Sequence, residues 1–439
     1  MKLKNILLCA SVLGGLALSS CTGNFLDEDR NPNSLDPENF WKSESDILKG
    51  LTAAYAGLQP TIEWAQPFER YIVIDNYRSD ELDYRPDVTA WMELAMYNNE
   101  STNYVPNDEW TNLYTSINYC NQCLDNIPNV PDNDDEGIKQ TKATIIAEAR
   151  FLRAFYYYRL FINFGERLPM FEHELEGTEE EFYPPQVEAG RLKTFIETEL
   201  SECQANLPEK WNTNMAGRVT KYTAAALLGK YYMFIGEKAK AKTEFWKVID
   251  SHRYELMENY GDNFNGLHEN NKESILEVQF TGSLEGGHYE YNLFTLHLGP
   301  DSGCGAYEEA YPSKWLFLTE DGEYSDRLYE TIIFDDPKSR PFYYEDGKGF
   351  SDYHQEDNIY WRKYVTYDKS LGDYWDYSGF NIPLIRYADI LLLYAECLND
   401  EGNSKEAIKY INKVRDRVHV TPLSDTLSLS LIHISEPTR

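Results

Sequence analysis

Apolar residues recur along much of this chain at the three-to-four-residue spacing of an α-helix that buries one face. The clearest run is Ile145, Ala149, Leu152, Tyr156 and Leu160, whose steps of four, three, four and four lay one stripe along a helix ending near Gly165. Ile47, Leu51, Ala54 and Leu58 form a shorter stripe behind Ser43 as N-cap, and Trp110, Leu113, Ile117 and Leu124 form another. Residues 188 to 206 give a further amphipathic helix. Thr220 caps a helix carrying Ala224, Leu228, Tyr231 and Ile235 that stops at Gly236, and a partner with Ala239, Ala241, Phe245, Val248 and Ile249 follows at once. Two helices joined at one glycine predict a hairpin of the tetratricopeptide kind. A second such pair is expected over Pro383 to Cys397 and Lys405 to Val418, with Asn403 and Glu406 spaced as a capping box. No strict period relates the pairs, so the repeats are degenerate.

Residues 260 to 380 break the pattern. They are rich in Gly, Tyr and Asp, with short apolar runs such as Ile275 to Phe280 and no sustained helical period. The fold class is therefore mainly α, a helical-hairpin scaffold with a large irregular, loop-rich lobe at about 260–380. So long an irregular insertion in a helical frame points to a binding surface.

Composition sharpens that picture. The 439 residues include 34 Tyr and 9 Trp, and the formal net charge is −32. Nucleic acid is excluded as a partner class, because phosphate neutralisation needs clustered Lys and Arg. Acidic polysaccharides are disfavoured for the same reason and neutral ligands are favoured, although much of the acidity serves solubility. Of the seven cysteines, Cys120 and Cys123 form a CxxC inside a helix with no second pair or histidines nearby. Buried free thiols fit that setting better than a metal site. His173, His268, His288, His297 and His354 show no ligand spacing, and neither metal nor cofactor is expected.

The first 20 residues form a signal peptide. Lys2 and Lys4 precede the apolar run Ile6 to Leu18, which falls short of the ~20 residues of a spanning helix. Leu18-Ser19-Ser20-Cys21 resembles a bacterial lipobox, in which the Cys21 thiol accepts lipid before cleavage in front of it. At about 0.8 kcal/mol per buried methylene, several acyl chains give a durable anchor. Residues 21–38 then form a polar tether broken by Asn31-Pro32-Asn33 and Pro37. Its Asp27-Glu28-Asp29 reads either as a surface-export signal or as a solvated stretch.

Several segments, in order, resemble the SusD/RagB family of nutrient-binding lipoproteins. They are Phe25-Leu26-Asp27, Phe40-Trp41-Lys42-Ser43 with Ala53-Ala54-Tyr55, and Trp110 with Leu113-Tyr114, Ile117 and Asn121. Ala147 to Ala154 with Tyr158, Gly165 and Pro169 follow, then Gly217-Arg218 with Thr220-Lys221. Arg386-Tyr387-Ala388-Asp389, Tyr394-Ala395-Glu396, Asn412, Val414-Arg415 and Arg417 complete the set. The resemblance implies four tetratricopeptide-like pairs beneath a loop-rich binding lobe, over residues 39–426. It also implies an outer-membrane, cell-surface location, a SusC-like TonB-dependent transporter as partner, and oligosaccharide capture without catalysis. Family members usually continue well past the last of these helices. Residues 427–439 are foreign to the rest, and Ile432 to Arg439 resembles a translated sequencing-adapter read-through, so the chain reads as C-terminally truncated.

Sugar binding needs flat aromatic faces beside groups that satisfy hydroxyls. Trp91 lies in a loop-like stretch where starch-binding relatives place a stacking Trp, near Trp64 and Tyr84, with Asp75, Arg78 and Asp80 as polar neighbours. In the lobe stand Tyr289, Tyr291, Trp361, Tyr374, Trp375 and Tyr377, with Trp91 and Trp375 the leading candidates. Ordinary packing is the competing role for each. Arg150, Arg153, Arg386, Asp389 and Glu396 sit on apolar helices, where a charge needs a partner, so they belong to the frame. Two other readings stay open: a glycoside hydrolase using two carboxylates, although no GxSxG, HExxH or Walker motif occurs, and binding of peptide or other non-glycan nutrients.

Overall fold

The computed structural model describes residues 40–59, 66–175, 183–282, 290–300, 306–321, 325–343, 359–366 and 378–426. The signal peptide, the tether and the 427–439 tail lie outside them. The frame is built from helices α1 (Glu44–Ala56), α3 (Tyr104–Asn126), α4 (Glu136–Phe164), α5 (Arg191–Cys203), α6 (Lys221–Phe234) and α7 (Lys238–Asp250). Helices α11 (Tyr387–Asp400) and α12 (Ser404–Arg417) close it. α2 (Thr89–Ala95) is a short helix ahead of α3. Packing pairs α1 with α3, α4 with α5, α6 with α7 and α11 with α12, and α7 seats against α11, so the pairs stack in one row.

Local chemistry explains the boundaries. Ser43 accepts from the Asp46 N–H, Asp135 from the Gly137 and Ile138 N–H groups, and Thr220 forms a reciprocal capping box with Thr223. Gly236 takes φ +82°, a left-handed conformation that turns the chain from α6 into α7. Gly57 answers to space instead: a β-carbon there would lie 2.2 Å from Ser116 Oγ, so its bareness lets α1 close on α3.

Two expected details are corrected. Pro383 to Arg386 is not helical; Ile382–Arg386 is strand β6, paired antiparallel with β2 (Ser274–Val278) through a bulged register. A proline cannot give a ladder N–H, yet here it stands in a two-stranded ribbon, where one edge needs no donor. Asn403 makes no side-chain cap to α12. Its backbone sits at φ −97°, ψ +53°, and the neighbouring Ser404 hydroxyl donates to Asn399 Oδ1 at 3.0 Å instead.

Within the lobe, the described residues form short elements: α8 (Phe294–Leu298), α9 (Lys314–Asp321), α10 (Asp326–Thr331) and three ribbons. Besides β2–β6, these are β1 (Leu82–Tyr84) with β3 (Ala310–Pro312), and β4 (Ile332–Ile333) with β5 (Tyr360–Trp361). One apolar cluster runs from Ile47 through the helices to Val414 and takes in Phe294, Ala310 and Tyr360, so lobe and frame share a core.

Buried and half-buried charges tie the helices together. Glu199 of α5 accepts from Arg150 and Arg153 of α4, at 2.7 Å from each. Asp389 of α11 pairs with Lys230 of α6, and Glu396 with Lys238 of α7. Glu273 receives both Arg386 and Arg417 at 2.7 Å. The charged residues expected to serve the frame do so. Cys120, Cys123, Cys203 and Cys397 are buried free thiols, and burial pushes Cys123 and Cys203 up to about 12. Among the described residues, no helix is long and apolar enough to cross a membrane.

Candidate functional site

The β1–β3 ribbon joins the frame to the lobe, and the exposed rings gather around it. Register pairs Tyr84 with Ala310 and Asp83 with Tyr311. Arg85 continues the ribbon: its N–H donates to the Glu309 carbonyl at 3.0 Å, and its guanidinium holds the Tyr307 carbonyl and, at 2.8 Å, Asp87. Ser313 closes the other end, its N–H donating to the Glu81 carbonyl at 2.9 Å and its hydroxyl to that of Asp80.

Five of the eleven exposed large apolar side chains among the described residues lie in the segments 96–104 and 307–315 that flank this ribbon. Tyr97 is 74% exposed, Tyr307 45% and Trp315 46%, with Met96 and Tyr104 beside them. A chain of contacts links the two sides: Tyr104 donates to Glu69, which also holds Trp91, whose ring meets His297, which in turn meets Tyr307 at 5.9 Å. Tyr97 stands at φ +57° just past α2, its hydroxyl donating to the Arg78 carbonyl. That conformation swings an aromatic ring clear of the helix and into solvent.

Beneath the rim the side chains are buried. A π-helical turn, Glu69–Ile74, turns Arg70 into the core, where it meets Glu109 at 2.6 Å; Arg159 reaches the same carboxylate at 3.1 Å. Burial raises the Glu109 carboxyl, but Arg70 and Arg159 outweigh it and hold the group below its ordinary range. Glu69 goes the other way, since burial pushes it up more strongly than its bonds from Tyr104 and Trp91 pull it down. His297 stacks on Phe68 at 4.3 Å and pairs through Nδ1 with Glu309, while its buried Nε2 has no hydrogen-bond partner among the described residues.

The sequence-predicted residues divide. Trp91 is a correction: it sits on helix α2, not a loop, and is 5% exposed. Phe68, Tyr77 and His297 enclose its ring at 5.4, 5.9 and 5.7 Å, so neither face is free to stack on a ligand. Tyr84 stacks on Tyr77 at 5.5 Å and is half-buried. Asp75 binds Arg159 at 2.8 Å, and Arg78 is held by the Ile74 carbonyl and Asn163 Oδ1. Asp80 is exposed at the ribbon's end. Trp361 is half-buried on β5, which packs on β3, while Tyr291 lies half-buried beside the Asn292–Ser378 bridge. Cys21, Trp64, Tyr289, Tyr374, Trp375 and Tyr377 fall outside the described residues.

Sequence reasoning missed Met96, Tyr97, Tyr104, Tyr307 and Trp315. The one signal for Tyr97 was its place between the short α2 stripe and the polar run Asn98-Asn99-Glu100. Among the described residues, no group of three or more His, Cys, Asp and Glu side chains is placed to hold a metal ion.

Fold and rim together define a stacked helical-pair protein with an aromatic surface built where frame meets lobe. A sequence profile for the SusD family matches residues 226–430, and one described as starch-binding and associating with the outer membrane matches residues 24–233. The chain belongs to the SusD family. It is 24% identical to a SusD-like protein of Formosa agariphila over 453 residues, spanning 94% of this chain and 82% of the other. The crystal structure of a SusD superfamily protein from Bacteroides vulgatus superposes with a TM-score of 0.77 at 22% identity, covering 90% of this chain and 84% of that one. A laminarin-binding SusD-like protein superposes with a TM-score of 0.74 at 24% identity, over 90% and 88% of the two chains.

Proposed function

We propose that the chain captures neutral oligosaccharides at the cell surface on the rim of Met96, Tyr97, Tyr104, Tyr307 and Trp315. It hands them to a SusC-like TonB-dependent transporter, is held in the outer membrane by lipid on Cys21, and performs no chemistry itself. The carrying observation is the concentration of exposed rings along one ribbon in a chain of net charge −32. Ring faces accept the C–H faces of a sugar, and Asp83 in the ribbon, with Arg85 and Asp87 just past its end, can meet hydroxyls at about 0.5–1.5 kcal/mol per net hydrogen bond. A neutral ligand escapes the repulsion that an acidic one would meet. Trp64, Tyr289, Tyr374, Trp375 and Tyr377 belong to the proposal as further walls of the same site. The buried carboxylates Glu69 and Glu109 are bonded within the core, which supports binding over hydrolysis.

Calorimetry with neutral oligosaccharides tests the reading, with laminarin fragments first because a structural relative binds laminarin, then starch fragments. Binding should be lost in Tyr97→Ala/Tyr307→Ala, and no reducing ends should appear on prolonged incubation. Hydrolysis by the pure protein, or full affinity in the double variant, would overturn it.

A further inference from the structure

We infer that the chain carries a second saccharide site, away from the rim, in the groove that α3 forms with residues 169–175 and 183–184. The inference rests on saccharide being the ligand class of the proposed function, and adds a place and a set of residues to it.

The groove has a volume of about 610 Å³, within the ~300–1,000 Å³ of small-molecule sites. Its apolar walls are rings. Trp110 and Tyr114, one turn apart on α3, meet at 4.9 Å and 55°, forming an angled trough, and Phe171 and Tyr183 face them. The walls are fixed from behind. Tyr114 donates to the Pro169 carbonyl at 2.7 Å and packs edge-on against Phe171, Trp110 packs edge-on against Phe164, and an antiparallel bridge sets Pro169 beside Gln186. Tyr183, 83% exposed, stands at the mouth.

The polar groups complete the argument. Thr111, Thr115 and Asn118 line the same groove at helical spacing. Asn118 uses its Oδ1 to accept from the Leu175 N–H at 3.1 Å, leaving its Nδ2 donors, with both threonine hydroxyls, without protein partners among the described residues. Among the described residues, no acidic or basic side chain lines the groove. A trough whose described lining joins ring faces to a row of unengaged hydroxyl and amide groups suits a neutral, ring-shaped polyol. A purely apolar ligand would leave that row unsatisfied.

The helix also relates the groove to the rim. Tyr104, Thr111, Thr115 and Asn118 stand at steps of seven, four and three, one stripe along α3. Tyr104 borders the rim, and the groove begins about 10 Å further along the helix axis. Two sites on one rigid helix raise the effective concentration of a chain already held at one of them.

The test is calorimetry of the full chain with laminarihexaose, maltohexaose and cellohexaose, comparing Thr115→Trp, which fills the groove from an exposed helix position, Tyr183→Ala, which removes an exposed wall, and Tyr307→Ala on the rim. Melting curves by circular dichroism check folding, and Tyr183→Ala serves should Thr115→Trp misfold. Two binding events are expected, one weakened at least tenfold by Thr115→Trp and threefold or more by Tyr183→Ala, the other weakened by Tyr307→Ala. A single event weakened by variants in both places also supports the groove, with one glycan spanning both. Binding lost in the groove variants and intact in Tyr307→Ala supports the groove and removes the rim. An isotherm untouched by both groove variants but abolished by Tyr307→Ala overturns the groove and leaves the proposed function standing. So does loss of co-purification with an outer-membrane protein in Thr115→Trp with glycan binding unchanged, which would make the groove a protein contact. No heat with any of the three sugars overturns both readings.

Discussion

The indole N–H of Trp91 donates to the carboxylate of Glu69 across 3.1 Å, inside a core that leaves both residues almost wholly buried. Each residue needs the other. A buried indole N–H without an acceptor and a buried carboxylate without donors are both costly. Trp91 therefore supports the rim from below. Trp91→Phe keeps most of the packing and removes the donor, and should cost about 1–3 kcal/mol of stability. Trp91→Ala adds a cavity and should cost about 3–5 kcal/mol. Urea unfolding measures both. Glycan affinity in Trp91→Phe should stay within a factor of two or three of the parent; abolished binding in a folded Trp91→Phe would restore this side chain as a direct ligand platform.

The two buried carboxylates of this region should respond to pH in opposite senses. Glu109 is held below its ordinary value by Arg70 and Arg159, so the unfolded chain binds more protons there, and its contribution is present above the unfolded value of about 4.5 and lost as pH falls through the folded one. Glu69 is raised, so the folded chain holds the extra proton, and stability declines as pH climbs from about 4.5 through the folded value. Glu109→Gln leaves two arginines without their shared partner and should cost about 3–5 kcal/mol at pH 7, with the deficit narrowing in acid. Glu69→Gln should flatten the decline above pH 4.5. Melting temperatures from pH 3.5 to 8 check both, and a Glu109→Gln deficit that widens in acid would contradict the assignment.

The contrast between Trp91 and the helices shows what the sequence carried. Helical stripes such as Ile145 to Leu160 follow from a period that local spacing records, and the charges on those faces imply partners because a buried charge cannot stand alone. The β1–β3 ribbon pairs residues more than 200 positions apart, Asp83 with Tyr311 among them, and no local pattern encodes that register. Whether Trp91 or Tyr97 faces solvent depends on that pairing and on one positive φ, so aromatic residues were legible as a population and not as individual contacts. Pro383 misled for a related reason: an apolar run before α11 looks alike as strand or helix until its partner β2 is known.

A neutral ligand on an acidic protein should bind with little dependence on salt. Screening acts on charge–charge terms, with a Debye length of about 10 Å at 0.1 M falling to about 3 Å at 1 M, and leaves ring stacking untouched. Affinity for a bound oligosaccharide should change less than threefold between 0.05 and 0.5 M NaCl. Tyr307→Ala, an exposed position, should weaken it about tenfold, which is 1.4 kcal/mol, without moving the melting temperature. A steep salt slope would point to a charged ligand and so to another nutrient class.

The anchor can be tested apart from the binding surface, because Cys21 precedes every described residue. Myristoyl-sized single chains give only marginal membrane binding, whereas two or more chains hold a protein durably. Cys21→Ala removes the thiol that would receive the lipid, and leaves the buried cysteines Cys120, Cys123, Cys203 and Cys397 in place. The variant should leave the membrane pellet for the soluble fraction, lose label from radioactive palmitate, and keep the parent's affinity for oligosaccharide. Retention in the pellet with label intact would mean that another residue carries the lipid. Retention without label would transfer the attachment to a protein partner.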